Sequence, residues 1–252
     1  MYEPAAGPVW HVEGAHTFFA GPLRYNAPHQ HGAPVYLAGL YGRFRIRIQG
    51  EAWATCRTAL VPAGVLHELD LGGDPLGVLY LEPGAAPADA LVPLLRGAAA
   101  SGGALLADGG EVAALRAIWE APDAPAWTGA ALADLTAFSG RRARAGLDGR
   151  IARVVESLRR RPEPARSAEA LAREVGLSSS RLQHLFTLEV GVPFRRYRAW
   201  LRMRRAIAVA ATGATFTQAA HAAGFADQAH FAHDFRKTFG APASGSLLNV
   251  RR

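Results

Sequence analysis

Two stretches in the C-terminal half of the chain repeat one pattern of apolar and polar positions. They are residues 170–186 and residues 218–235. Each has a short apolar segment, a glycine and then an amphipathic segment. Gly176 and Gly224 stand where the first segment must end, because glycine accepts the left-handed conformation that closes a helix. Ser178 and Asp227 follow at the N-cap position. The pattern predicts two helix-turn-helix motifs.

The second helix of each motif has one apolar face and one polar face. The apolar positions, three or four residues apart, are Leu182, Leu185 and Phe186 in the first copy and Phe231, Phe235 and Phe239 in the second. The polar positions are Ser180, Arg181, Gln183 and His184, and then Gln228, Ala229, His233, Arg236 and Lys237. Short polar and basic side chains on an exposed helix face suit the major groove of DNA.

A basic helix is predicted between the two motifs, over residues 193–211. Pro193 suits its first turn, and the helix carries six arginines. At about 1.5 Å per residue it would be roughly 28 Å long. Successive major grooves recur every ~34 Å on one face of a duplex, so a helix of this length can place two recognition helices in neighbouring grooves.

The last hundred or so residues resemble the DNA-binding domain of the AraC/XylS family of transcription regulators. The residues that carry the resemblance are DGRIARVVESL at 148–158, LAREVGLS at 171–178, RLQHLF at 181–186, GVPFRRY at 191–197 and GFADQAHFAHDFRKTFG at 224–240. After Pro242 the aromatic residue and arginine usual in the family are missing, so the last helix is expected to be short.

The resemblance implies roles for individual residues. Those expected to face bases are Ser180, Gln183 and His184 in the first motif and Gln228, Ala229 and His233 in the second. Those expected to contact phosphates are Arg181, Arg195, Arg196, Arg236 and Lys237. Phosphate contacts fix the register of a protein on DNA, whereas base contacts select the sequence.

The N-terminal part reads as short strands separated by glycine and proline. In residues 43–48 apolar and arginine side chains alternate strictly, as in a half-buried strand with its arginines outward. Several such strands over residues 1–82 predict a sandwich or barrel.

Two fragments there, PHQH at 28–31 and VPAGVLH at 61–67, resemble the two motifs of the cupin fold. The resemblance implies that His29, His31 and His67 face one interior. They could hold a divalent transition metal (Zn, Ni, Fe or Mn), with His11 or His16 as a fourth ligand. The carboxylate of metal-binding cupins is missing, and the alternative is a metal-free pocket. The residues expected to line a small-molecule pocket are Arg24, Tyr36, Trp53 and Tyr80.

The chain is therefore predicted to be an α+β protein of two domains. A cupin-like β-barrel (jelly roll) at 1–82 senses a ligand, and residues 147–252 form the all-α DNA-binding domain. Between them, at 83–146, we predict a Pro83–Pro87 linker, helices at 89–96, 110–119 and 128–138, and a hinge at 139–149. These helices either pair two subunits into a homodimer or simply cover the barrel.

Composition supports this division. The net charge is +7, with about 18 basic against about 8 acidic residues from Gly146 onward, and a slightly acidic first half. Such asymmetry indicates that one half meets a polyanion. The single cysteine, Cys56, permits no disulfide within the chain, which suits the cytoplasm. Neither a secretory signal nor an apolar run long enough for a membrane span is recognisable.

Three functions are compatible with these features. The first is a sequence-specific transcription regulator that binds double-stranded DNA and a small-molecule or metal effector. The second is a metal-dependent cupin enzyme, such as a dioxygenase or isomerase, fused to a DNA-binding domain. The third is a DNA-binding protein whose barrel only dimerises. The first is favoured because no acid/base pair accompanies the three histidines.

Overall fold

The computed structural model describes residues 7–83, 89–140, 147–160 and 166–251. Within these ranges the chain forms thirteen strands and then nine α-helices, with one 3₁₀ turn at Val92–Leu94. The strands are β1 (Val9–Glu13), β2 (His16–Pro22), β3 (Tyr25–His29), β4 (Val35–Gly39), β5 (Phe44–Ile48), β6 (Ala54–Cys56), β7 (Thr58–Val61), β8 (His67–Asp70), β9 (Pro75–Leu81), β10 (Leu95–Arg96), β11 (Ala99–Ser101), β12 (Ala104–Ala107) and β13 (Gly109–Gly110).

The strands form two main sheets with a shared core. One sheet has the order β1-β2-β9-β4-β7-β12-β11, the other has the order β3-β8-β5-β6, and β10 pairs with β13. Apolar side chains of both sheets, such as Leu37, Val78, Ile46 and Leu69, belong to one buried cluster. The prediction of a closed barrel is therefore wrong for the described residues: their pairings make two packed sheets, and no ring of hydrogen bonds closes.

The alternation predicted in residues 43–48 is confirmed. In β5 the side chains of Phe44, Ile46 and Ile48 are buried, whereas Arg45 is exposed and Arg47 is half-buried. Successive side chains of a strand point to opposite faces. One face of this strand therefore supplies the core and the other meets solvent.

Sheet formation continues past residue 82. β12 pairs antiparallel with β7, and β11 extends the same sheet to its edge. The helix predicted over 89–96 is wrong, because this stretch forms the 3₁₀ turn and then β10. Most of the predicted linker at 83–87 and most of the predicted hinge at 139–149 lie outside the described residues.

Two helices cover the outer face of the larger sheet. They are α1 (Ala113–Glu120) and α2 (Ala124–Gly140). Leu115, Ile118 and Leu132 are fully buried in a second apolar cluster with side chains of the sheet. This packing explains the apolar stripes seen in the sequence. Pairing of two subunits through these helices stays a prediction.

The remaining helices form the C-terminal domain. They are α3 (Gly149–Arg160), α4 (Ala168–Glu174), α5 (Ser179–Val190), α6 (Phe194–Ala211), α7 (Phe216–Ala222), α8 (Gln228–Phe239) and α9 (Ser244–Leu247). The two predicted helix-turn-helix motifs are α4–α5 and α7–α8, and α6 is the predicted basic connector. The last helix has only four residues, as expected from the departure after Pro242. No helix in the described parts of the chain is long and apolar enough to cross a bilayer.

A buried ionic network fixes α6 to the N-terminal sheets. The Glu82 side chain is fully buried and accepts hydrogen bonds from the Tyr197 hydroxyl at 2.8 Å and from Trp200 Nε1 at 2.7 Å. The Arg204 guanidinium lies 3.2 Å from the same carboxylate and also donates to Thr17 Oγ1 at 2.6 Å. Each charged group is thus paired with a charge and with further hydrogen bonds, which is the condition for tolerating buried charge.

We expect Glu82→Ala to lower the free energy of unfolding by about 3–5 kcal/mol. The substitution leaves the Arg204 guanidinium buried without its counter-charge, and breaking one partner of a buried pair has a cost of this order. Urea unfolding of the full chain measures the change.

The matched control is Glu51→Ala, because Glu51 is an exposed residue of the loop between β5 and β6 in the same N-terminal domain. Its effect should stay within about 0.5 kcal/mol. Equal effects of the two substitutions would show that the Glu82 network does not hold the molecule together.

Candidate functional site

The first recognition helix, α5, begins at a capped turn. Gly176 has a φ of 69°, in the left-handed region that ends the preceding helix. Ser178 then accepts a hydrogen bond on its hydroxyl from the backbone N–H of Arg181 at 3.2 Å. Leu182 and Phe186 are fully buried, so the rotation of the helix about its axis is fixed by its apolar face.

The polar face of α5 is open to solvent as predicted. Ser180, Arg181, Gln183 and His184 are all exposed. The Gln183 amide donates to Ser179 Oγ, one turn earlier, at 3.3 Å. The side chain therefore has a local partner and still presents its amide at the surface.

The second recognition helix, α8, is built in the same way. Asp227 caps it by accepting from the backbone N–H of His230 at 2.7 Å, and Gly224 has a φ of 81°. Phe231, Phe235 and Phe239 are buried along one face. The side chains of the opposite face are exposed: Gln228, Ala229, His233, Arg236 and Lys237.

A stripe of arginines follows α6 between the two motifs. Arg195, Arg198, Arg202 and Arg205 line one shallow groove together with Ser167 and Glu169 at the start of α4. Arg202 is held in place by Asp234 at 3.0 Å and by the Phe225 ring, 4.4 Å from its guanidinium carbon. We call these four residues the arginine stripe.

Arg196, predicted as a phosphate contact, lies on a different side of α6. Its carbonyl oxygen lies 3.6 Å from the position that a Cβ on Gly32 would take, so this side of the helix packs against the N-terminal sheets. Its side chain is half-buried, whereas that of Arg195 is exposed. Arg195 is therefore better placed to contact DNA than Arg196.

Both recognition helices end against the N-terminal domain. At the end of α8, the Gly240 carbonyl accepts a hydrogen bond from the Ala27 N–H at 2.9 Å, and a Cβ on Gly240 would lie 2.2 Å from the Ala27 oxygen. At the end of α5, the Gly191 oxygen lies 3.0 Å from the position of a Cβ on Gly64. Only glycine fits such close backbone approaches. The N-terminal domain thus contacts the C-terminal ends of both helices and leaves their N-terminal halves open.

A cavity of about 510 Å³ lies between the two sheets and the end of α8. Its wall is mainly apolar and aromatic, and it includes Trp10, Phe19, Leu37, Val78, Tyr80, Phe235 and Phe239. Arg24 is exposed at the rim, and its backbone carbonyl accepts a hydrogen bond from the Leu71 N–H at 2.8 Å. Asn26 donates from its amide to the Phe239 carbonyl at 2.8 Å, while its Oδ1 is buried without a partner.

Three histidines form a buried cluster in the wall of this cavity. His29 and His67 are directly opposite each other in β3 and β8, beside a bulge that shifts the register. Their ring centroids are 4.3 Å apart, and the His31 ring is 4.8 Å from His29 and 5.0 Å from His67. One ring nitrogen of each lies within 4.8 Å of those of the other two.

The imidazoles of the cluster are neutral at pH 7. Burial lowers the pKa of His29 to about 3 and that of His67 to about 4, and it holds the pKa of His31 well below the usual value. Nδ1 of His29 donates to the Ala27 carbonyl at 2.7 Å, and Nδ1 of His67 donates to the Val65 carbonyl at 2.9 Å. These bonds leave an unprotonated Nε2 on both rings. A neutral imidazole with a free ring nitrogen is the form that binds metals.

Four predicted site residues lie away from the cavity and the cluster. Tyr36 faces the outer side of the sheet, where its hydroxyl donates to the carbonyls of Leu94 and Glu111, and Trp53 packs under Arg45 and Arg47. Neither residue lines this cavity, which departs from the expectation that they would share a pocket with Arg24 and Tyr80. His11 and His16 lie against α2, as shown by the 2.8 Å contact of His16 Nε2 with Thr136, so neither completes the cluster.

Other residues of the site were not predicted from the sequence. Trp10 and Asn26 line the cavity, and Glu82 binds α6. For Glu82 a signal existed: it is a lone acidic residue at the end of an apolar strand. Its partners, however, are more than a hundred residues away in the chain, and no local pattern indicates them.

Residues 171–246 match the family model described as a helix-turn-helix domain. This span contains both motifs and α6. The C-terminal part of the chain is a helix-turn-helix domain of the AraC type. Because it contains this domain, the chain is a DNA-binding transcription regulator.

The fold of the whole chain is similar to that of ToxT from Vibrio cholerae. An apo structure of a ToxT variant aligns with a TM-score of 0.61 at 14% identity, over 93% of this chain and 97% of ToxT. A structure of wild-type ToxT with unsaturated fatty acid bound aligns with a TM-score of 0.60 at 16% identity, over 95% and 97%. No curated protein sequence matches this chain significantly.

A second, shorter alignment covers the C-terminal half. An AraC-type transcriptional regulator from Chromobacterium violaceum is 26% identical over 38% of this chain and 87% of its own length, with a TM-score of 0.36. The match of residues 171–246 to the helix-turn-helix family model confirms the predicted AraC-type DNA-binding domain, whereas the cupin resemblance of the N-terminal sheets stays a prediction.

Proposed function

We propose that this regulator reads a two-part DNA site with α5 and α8 and that a small molecule in the interdomain cavity modulates this binding. The observation that carries the proposal is the pair of exposed polar helix faces at either side of one connector helix. This connector has 18 residues and is about 27 Å long. A length of this order fits two helices entering successive major grooves.

Individual roles follow from exposure and chemistry. Gln183 and Gln228 carry amides that suit adenine, and His184 and His233 can donate to guanine. Ser180 and Ala229 lie at the N-terminal ends of the same faces, where short side chains allow close approach. Arg181, Arg236, Lys237 and the arginine stripe supply positive charge for phosphates.

The effector that suits the cavity is an apolar small molecule with one anionic group. Aromatic and aliphatic walls favour a hydrocarbon portion, and the Arg24 guanidinium at the rim favours a carboxylate. The ToxT structure with unsaturated fatty acid bound supports this class of ligand. We propose Arg24, Asn26 and Tyr80 as its polar contacts.

The alternative of a metal-dependent enzyme gains no support from the cluster. Among the described residues, the group that lies close enough to share an ion consists of the three histidines, without a carboxylate. Glu68, next to His67, faces away and is bound by Arg47 and by the Tyr25 hydroxyl at 2.6 Å.

We expect Gln183→Ala to relax the base preference at one position of the DNA site. The loss on the preferred sequence should be about 1–3 kcal/mol, because one bidentate contact to a base is removed. Selection from random DNA, followed by binding measurements on the selected site, gives the preference at each position.

The control on the same helix is Leu188→Ala. Leu188 is 72% exposed in the C-terminal half of α5 and has no group that hydrogen-bonds to a base. It should leave the preferred sequence unchanged. A uniform weakening of all sequences by Gln183→Ala would contradict the assigned role.

Arg195→Ala should weaken binding to every sequence alike. A lost phosphate contact also reduces the dependence of log K on log salt by about one unit of slope. Affinities measured over a range of salt concentrations test this, with Arg96→Ala as the control because Arg96 is exposed on the N-terminal domain. Loss at one base position only, with an unchanged slope, would rule out a phosphate contact.

Arg24→Ala should weaken binding of a long-chain unsaturated fatty acid by roughly 10–100-fold. A hydrogen bond to a charged partner contributes about 1.5–3 kcal/mol, which corresponds to this range. Calorimetry with the acid and its methyl ester makes the measurement. Arg43→Ala is the matched control, since Arg43 pairs with Asp108 away from the cavity. Equal affinity of the wild-type chain for acid and ester would contradict an anionic effector.

A further inference from the structure

The last residues of the chain run from the end of α8 across the cavity to the N-terminal domain. We call residues 241–251 the strap. Four of its residues form part of the cavity wall: Ala241, Pro242, Gly245 and Ser246. Leu247 is then buried in the shared apolar core, and Arg251 reaches the end of α1. The strap includes the stretch after Pro242 in which the sequence departs from the family pattern, so the helix-turn-helix pattern does not account for its course.

Two hydrogen bonds join the strap to the edge of the larger sheet. Trp10 Nε1 donates to the Ser246 carbonyl at 2.7 Å, and the Arg251 N–H donates to the Pro8 carbonyl at 2.9 Å. Trp10 belongs to the edge strand β1, and Pro8 directly precedes that strand. The Trp10 bond is buried, so the strap is fastened directly over the cavity that Trp10 lines.

The side chain of Arg251 fastens the end of the strap to α1. Its guanidinium donates to the Ala121 carbonyl at 3.0 Å and to the Trp119 carbonyl at 2.5 Å. The guanidinium carbon also lies 4.9 Å from the centre of the Trp119 ring. The last carbonyls of a helix have no partner within the helix and carry partial negative charge, so a cation is favoured there. One side chain thus makes three contacts with the C-terminal end of α1.

The strap is held less extensively than the other walls of the cavity. The sheet walls are tied by continuous ladders, such as the pairing of β9 with both β2 and β4, and α8 is buried along one face. The strap lies at the end of the chain and pairs with no strand of the described residues. Segments of this kind open without unfolding of the rest of the protein. Because Val78 and Tyr80 in the inner wall are only 5% and 3% exposed, a ligand that reaches them requires such a movement.

We propose that the strap is the lid of the cavity and that Arg251 is its latch. When the contacts of Arg251 break, the strap moves away about the residues that follow Gly240, and the inner wall of the cavity becomes accessible. A ligand that packs against Pro242 and Ser246 holds the strap closed. Because the strap continues α8 directly, closure also fixes the end of the second recognition helix. Control of effector entry rests on the proposed function, whereas the movement of the strap does not.

Opening of the strap is tested with a thiol placed in the inner wall, by Val78→Cys in the full chain. Modification with iodoacetamide, followed by mass spectrometry, gives the rate at which this thiol is exposed. Adding Arg251→Ala should raise the rate by at least about 10-fold, because the loss of charge-assisted hydrogen bonds increases the open population to which the rate is proportional. Arg251→Lys keeps the charge without the two-pronged donor and should give an intermediate rate.

Two controls separate opening of the strap from loosening of the whole molecule. Cys56 is buried and does not line the cavity, so its modification rate should not change with Arg251→Ala. Leu248→Ala alters a strap residue that is 53% exposed and should leave both rates unchanged. An unchanged rate for the introduced thiol, or equal acceleration of both thiols, overturns the proposal.

Control of effector entry is tested with oleic acid, a long-chain unsaturated fatty acid, by stopped-flow tryptophan fluorescence. Arg251→Ala should raise both the association rate and the dissociation rate by about 3-fold or more, because both require an open lid. Unchanged rates would refute the lid as the route of entry. Failure of the wild-type chain to bind oleic acid would refute the proposed effector, and the thiol rates would still decide whether the strap opens.

Discussion

The Glu82 carboxylate is the contact on which the arrangement of the two halves depends. It is buried between the sheets and α6, and three side chains of α6 converge on it: Tyr197, Trp200 and Arg204. A charge in that position is tolerated because it is paired and fully hydrogen-bonded. Burial raises the pKa of the Tyr197 hydroxyl, and the nearby Glu82 carboxylate raises it further. The connector helix is therefore held in one position on the sheets.

Holding α6 in place determines where the recognition helices lie. The C-terminal ends of α5 and α8 reach the N-terminal domain at Gly191 and Gly240, while their N-terminal halves remain exposed. The contact with the N-terminal domain thus leaves the polar faces proposed to bind DNA accessible. Because α8 also forms one wall of the cavity, through Phe235 and Phe239, the proposed effector would contact a recognition helix directly. The proposed coupling between effector and DNA would therefore require no long pathway through the protein.

The C-terminal domain could be predicted well from the sequence because its signals are local. Glycines at helix ends and hydroxyl or carboxylate caps act over three or four residues, so Ser178 and Asp227 took their predicted positions. Local signals could not show which of Arg195 and Arg196 is exposed, because this depends on the N-terminal sheets that pack against one side of α6.

The N-terminal domain was predicted less well because its structure depends on distant pairings. The strands β11 and β12 are short and alanine-rich, and only their partner β7 makes them part of the sheet. Tyr36 and Tyr80 both lie in buried strands, and register alone decides that Tyr80 faces the cavity and Tyr36 the outer side. The cluster of His29, His31 and His67 was predictable, since the resemblance supplied all three residues, whereas its position next to both recognition helices was not.

The most direct test of the account is the dependence of affinity on the spacing between the two half-sites of the selected DNA. Insertion of five base pairs rotates one half-site to the opposite side of the duplex, because successive grooves on one side recur every ~10.5 base pairs. If α5 and α8 are held rigidly by α6, affinity should fall to that for a single half-site. Equal affinity for the original and the lengthened DNA would contradict a fixed pair of recognition helices.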